Sequence, residues 1–138
     1  MTIRFDTKIA IAVRGDLEVW QKLNVTAFLA SGIAASVDGI IGKPYEDASG
    51  HTYLELFRQP VLVYSADGPT LSQVHQRALA RGIPMAVYTI DMFATGHDDD
   101  NRAVVRAVAS ADLQFAGLAL HGPRNAVDKI FKGANLHP

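Results

Sequence analysis

Lys22 and Asp91 are the two side chains whose setting in the sequence could support chemistry. Lys22 lies in KIAIAVRGDLEVWQKLNVTAFLASGIAA, residues 8–35, where an apolar run and a tight turn lead into an almost wholly apolar helical pattern. At 3.6 residues per turn, Glu18, Lys22, Val25, Thr26 and Leu29 share one side of that helix. The lysine therefore sits in a mixed polar and apolar stripe, with Glu18 as its i,i+4 partner. Asp91 follows the apolar run IPMAVYTI, at the carboxyl end of a strand, the edge of an open α/β sheet where sites gather. A cation and a carboxylate are groups that steady developing negative charge and move a proton. His97 beside Asp98, Asp99 and Asp100 invites a metal ion. Acidic residues at a helix start need no ion, however, and consecutive positions cannot all face one metal without a shaped loop. No metal or cofactor is expected.

The elements that must position these residues follow from periodicity. Ile9 to Val13 is unbroken apolar sequence, which reads as a central strand covered on both faces. Asp16 is the expected N-cap of a helix that starts at Leu17. Residues 36–53, SVDGIIGKPYEDASGHTY, read as a long loop with a short strand over 37–41; a loop of this length is often a functional lid, and Asp38, Lys43, Tyr45, Asp47 and His51 are its polar candidates. Residues 60–64 form a second strand, and Pro69 opens a helix that closes at Gly82. In that helix Leu71, Val74, Ala78 and Leu79 make the buried stripe, and His75 belongs at the surface or its boundary. A third strand covers 83–90, a helix follows the aspartates at 98–100, a fourth strand covers 113–121, and a last helix begins at Gly122 and Pro123. The alternation predicts an α/β protein, a three-layer sandwich around a four-stranded mixed, largely parallel sheet, with residues 1–138 as one domain.

Composition sets outer bounds. With 138 residues, 49% of them hydrophobic and 20% charged, the chain has the balance of an ordinary globular protein. A formal net charge of -1 argues against a dedicated nucleic-acid binder. The absence of cysteine removes thiolate chemistry and disulfides. The opening MTIRFDTK is unlike a signal peptide and no apolar run reaches membrane-spanning length, so a cytoplasmic protein with no membrane partner is expected. There is no GxSxG elbow, phosphate loop, HExxH or dinucleotide glycine triplet.

Three blocks together resemble the type II peptidyl-tRNA hydrolases. They are KIAIAVRGDLEVWQK, RGIPMAVYTIDMFAT and LALHGPRNAVDKIFKGANL, in order along most of the chain. The resemblance implies that family's fold and puts Lys22, Asp91 and Thr95 on its polar site positions. Gln21 stands where those hydrolases have glycine, however, and Asn24, Val25, Thr26, Phe28, Leu29 and Ala30 replace a pattern that supplies a glutamine and a histidine. The KLNVTAFLASGIA and GKPYEDASGHTY runs are instead similar to an uncharacterised bacterial family, domain-of-unknown-function two-thousand, and the chain is identified as a member.

Two functions follow as expectations. In the first, the protein is a hydrolase of a small ester: Asp91 positions or deprotonates water, Lys22 stabilises the oxyanion, and Thr95 and Asp16 hold the geometry. Asn24, Thr26, Lys43 and Tyr45 join Asp16 as substrate-binding candidates. Peptidyl-tRNA is an unfavoured substrate, because the basic groups available, Arg124, Lys129 and Lys132 with Arg77 and Arg81, are few and dispersed. In the second, the same crevice and the 36–53 loop form a non-catalytic module for a small ligand or a partner protein. Val25 and Leu29, apolar on an otherwise polar stripe, predict a homodimer.

Overall fold

The computed structural model describes residues 5–138, so the first four residues of the MTIRFDTK opening lie outside it. Strand β1 (Thr7–Arg14) is central as its apolar run requires, with Ile9, Ala10, Ile11 and Ala12 wholly buried. Helix α1 (Val19–Ser36) follows it, then the short strands β2 (Tyr45–Glu46) and β3 (Thr52–Tyr53), and β4 (Val61–Ala66). Next come α2 (Gly68–Ala80), β5 (Met85–Thr89), a 3-10 turn over Ile90–Ala94, and α3 (Asp98–Arg106). The chain ends with β6 (Phe115–Pro123), α4 (Arg124–Ile130) and β7 (Asn135–Leu136).

The main sheet is mixed and has five strands in the order β5-β6-β1-β4-β7. The expected four-stranded, largely parallel sheet is thus corrected. Only β1 and β4 pair in parallel; β1 with β6, β5 with β6, and β4 with β7 are all antiparallel. The physical reason is insertion: β6 runs down between β1 and β5, so those two strands share a direction without being neighbours. β7 is two residues long and carries no periodic signal.

Alternation along β1 sorts the core into two layers. Ile9, Ile11 and Val13 face α1, packing with Val25, Leu29 and Ile33. Ala10 and Ala12 face α2 and α4, packing with Leu71, Val74, Val127 and Ile130. Helices thus cover both faces of the sheet. α1 lies close to the sheet because Gly117 of β6 gives it room: a Cβ there would stand 2.7 Å from the Ala12 carbonyl and 2.9 Å from Val25 Cγ1.

Several expectations change at this level. α1 starts at Val19 with Glu18 as N-cap, because Gln21 reaches back to the Glu18 amide at 3.0 Å. The Asp16 carboxylate instead accepts from Arg14 Nε at 2.8 Å. No ion pair joins Glu18 to Lys22 among the described residues. Val25 and Leu29 are core residues, 0% and 2% exposed, so the argument for a homodimer through them fails. The apolar residues that α1 exposes are Val19, Trp20, Leu23 and Phe28. In α2, Leu71, Val74 and Ala78 are buried as expected, but His75 is buried and Leu79 is 55% exposed, the reverse of the expectation for these two. Residues 37–41 form no strand beyond an isolated bridge from Ile41 to Phe57. The loop around them has its own β2–β3 hairpin, whose turn is tied by Asp47 accepting from the amides of Ser49 and His51 and from the Tyr53 hydroxyl.

Candidate functional site

Two crevices contain catalytic or substrate-binding candidates from the sequence. The wider, about 670 Å³, lies at the carboxyl ends of the parallel neighbours β1 and β4, lined in part by Arg14, Asp16, Asp67 and Thr70. The helices that follow these strands go to opposite faces, so this is the topological switch point at which α/β sheets commonly hold ligands. Its charged groups, however, are already engaged. Arg14 is paired with Asp16, and Asp67 caps α2 by accepting from the Thr70 amide at 2.8 Å. A hydrogen bond from the Thr70 side chain, followed by that capping bond from its amide, keeps the Asp67 carboxyl below its ordinary pKa. The positive end of α2 already carries a carboxylate.

The narrower crevice, about 340 Å³, lies between α1, the 3-10 turn after β5, and the start of α3. Trp20, Asn24 and Phe28 reach it from α1 at four-residue spacing, which sets them on one face of the helix. Tyr88 comes from the end of β5, Phe93 and Thr95 from the turn, and His97, Asp98 and Asn101 from the α3 entry. The Tyr88 ring is held edge-on by Phe28, with centroids 5.7 Å apart, and tilted against Phe93 at 5.2 Å. Apolar walls with a few convergent polar groups are the usual make-up of a small-molecule site.

Tyr88 is 6% exposed, and its hydroxyl has no hydrogen-bond partner among the described residues. Burial alone pushes its pKa above 10.0. The hydroxyl is not sealed away, since Thr89 Oγ1 is the one described side-chain polar atom that is fully enclosed and unpartnered. Tyr88 therefore offers an unspent donor and acceptor to the crevice. Thr95 and His97 are committed. The Thr95 hydroxyl lies 2.8 Å from the Met92 carbonyl and also against Asn101 Oδ1, both acceptors for its single proton. His97 is the N-cap of α3; Nδ1 accepts from the Asp100 amide at 3.4 Å, and Nε2 lies 3.3 Å from the Asp100 carboxylate.

The residues expected from the sequence are thus distributed. Asn24 and Thr95 share the narrower crevice, and Asp16 lines the wider one. Lys22 is half-buried and outside the lining of both, as is the exposed Asp91 on the 3-10 turn. Lys22 and Asn24 are two positions apart, about 200° around the helix, so they leave on different sides. The Thr26 hydroxyl donates to the Lys22 carbonyl at 2.7 Å. Lys43 and Tyr45 are exposed on the hairpin arm. Sequence reasoning did not single out Trp20, Phe28 or Tyr88 for a site, because an aromatic residue in an apolar pattern reads as core.

Fold and crevice define an α/β protein with, among the described residues, four helices, a five-stranded mixed sheet, a small hairpin and an aromatic-walled cleft at one edge. A family model described as protein of unknown function, DUF2000, matches residues 7–138, and the chain belongs to that family. It is similar to a solved protein of unknown function, Atu0240 from Agrobacterium tumefaciens strain C58, at 50% identity and a TM-score of 0.95. That similarity covers 98% of this chain and 100% of the other. No curated protein matches the chain. Among the described residues, no group of three or more His, Asp or Glu side chains is placed to hold a metal ion, and no helix is long and apolar enough to cross a membrane.

Proposed function

We propose that this protein is a small-ligand-binding module and that its ligand sits in the crevice between α1 and the start of α3. The observation that carries this reading is Tyr88, a nearly buried tyrosine whose hydroxyl meets no protein partner while its ring forms part of an aromatic wall. A hydroxyl that the fold leaves without a protein partner but open to the crevice can exchange water for a hydrogen bond to a ligand.

The same geometry weighs against the ester-hydrolase reading. Ester hydrolysis needs a nucleophile or water beside a free base. Both ring nitrogens of His97 are directed to Asp100, and the Thr95 proton is already donated. Lys22 and Asp91, the pair meant to steady an oxyanion and activate water, do not line the crevice that contains Thr95.

The test is a saturation-transfer NMR screen of a fragment set against the wild type and Asn24→Trp, whose indole would fill the crevice from an exposed helix position. Circular dichroism checks that the variant is folded, and an assay with p-nitrophenyl acetate runs beside the screen. Fragments that bind the wild type and not the variant, with no turnover above background, are the expected result. Fragments that bind both proteins equally, or ester turnover abolished by Lys22→Ala and Asp91→Ala, would refute the proposal.

A further inference from the structure

The chemistry of the crevice narrows the ligand, if the binding reading is accepted. Trp20, Phe28, Tyr88 and Phe93 wall it, and no lysine or arginine is among its lining residues; Arg102 and Arg106 line the adjoining crevice, which shares Phe28 and Asp98 with it. The Tyr88 ring meets Phe28 at 69° and Phe93 at 52°, so the rings make a corner rather than a closed stack. Trp20 and Phe28 keep ring surface open, at 62% and 51% exposed, and an open aromatic face carries the negative side of the quadrupole, which attracts a cation and disfavours an anion.

The local charge has the same sign. Between residues 90 and 112 the chain carries Asp91, Asp98, Asp99, Asp100 and Asp112 against Arg102 and Arg106. Arg102 contacts both Asp98 and Asp99 at 2.6 Å, so two carboxylates share one guanidinium and the group stays net negative. Asp98 lines the crevice and brings that surplus negative charge to its mouth. A row of aspartates at a helix start would by itself say nothing about a ligand. The independent sign is Tyr88, more than nine-tenths buried, lining the crevice and without a partner.

We propose that the crevice takes a small organic ammonium ion: the rings of Trp20, Phe28 and Tyr88 surround the cation, Asp98 balances its charge, and the Tyr88 hydroxyl meets the polar end of the molecule. Charge and shape are separable in the test. Choline and 3,3-dimethylbutan-1-ol have nearly the same outline, and only choline is charged. Trp20 is the one tryptophan in the chain and lines the crevice, so its fluorescence reports occupancy directly.

Titration of the wild type at fixed ionic strength should quench Trp20 saturably with choline, at an affinity about tenfold or more above that for the alcohol. Asp98→Asn should weaken choline several-fold and leave the alcohol unchanged, with the melting temperature showing that the variant folds. Equal affinities for the two probes, or no choline binding by a protein that takes uncharged fragments in the crevice, would overturn the ammonium assignment and leave the binding reading intact. A protein that binds no fragment there loses both.

Discussion

At the scale of single residues, the fold is most informative where it leaves a polar group without a task. Tyr88 keeps its ring in contact with Phe28 and Phe93 and has no partner for its hydroxyl. Tyr88→Phe should therefore leave the melting temperature within a degree or two of wild type while weakening the bound fragment by about fivefold to tenfold, the worth of one hydrogen bond. A large loss of stability would mean that the hydroxyl serves the fold. His75 makes a different prediction. It is 7% exposed, with its ring 4.7 Å from Phe115, and burial holds its pKa below the ordinary 6.5. Below pH 6.5 the unfolded chain therefore binds a proton that the folded one resists. The stabilisation is complete above that value and is lost as pH falls through the lowered folded pKa. Denaturant titrations between pH 7 and 5 should show wild-type stability falling, with a shallower slope in His75→Leu. Half-buried His121, depressed by the same cause, supplies part of what slope remains. The burial of His75 was hidden in the sequence because its helix stripe is displaced: Leu79, the more apolar choice, points to water instead.

At the scale of elements, the central strand, the four helices and their order were legible, because an unbroken apolar run and a helical period survive whatever the neighbours do. Helix entry was less so. Asp16 is the better cap in isolation, yet the helix starts after Glu18 because Gln21 reaches back to the Glu18 amide and Arg14 claims Asp16. The closeness of α1 to β6 was also invisible in the sequence, where Gly117 is one glycine in an apolar run. A methyl group there would press on the Ala12 carbonyl at 2.7 Å, Val25 at 2.9 Å and Leu29 at 3.0 Å. Gly117→Ala should accordingly cost about 1–3 kcal/mol or more in urea unfolding. A neutral substitution would show that α1 can lift from the sheet, and with it the Trp20, Asn24 and Phe28 side of the crevice.

For the whole molecule, the partition into two helical layers was legible and the strand order was not. Alternation assigns each side chain to a face, but hydrogen-bond partners are chosen across the chain. The insertion of β6 between β1 and β5 turns an apparently parallel series into a sheet with one parallel pair. The same long-range packing separates the sites. Lys22 leaves α1 on a different side from Asn24, and the sequence places both on one helix without saying which neighbour each will meet. Two crevices result: the wider, at the switch point between β1 and β4, has its charges already paired, and the narrower retains an open tyrosine hydroxyl. The measurement that decides between them is the amide chemical-shift map of nitrogen-15-labelled protein, recorded with and without the tightest fragment from the screen. The account predicts that the shifts concentrate at 20–28 and 88–101 and vanish in Asn24→Trp. Shifts concentrated at 14–16, 65–70 and 133–138, unaffected by that variant, would put the ligand in the switch-point crevice and contradict it.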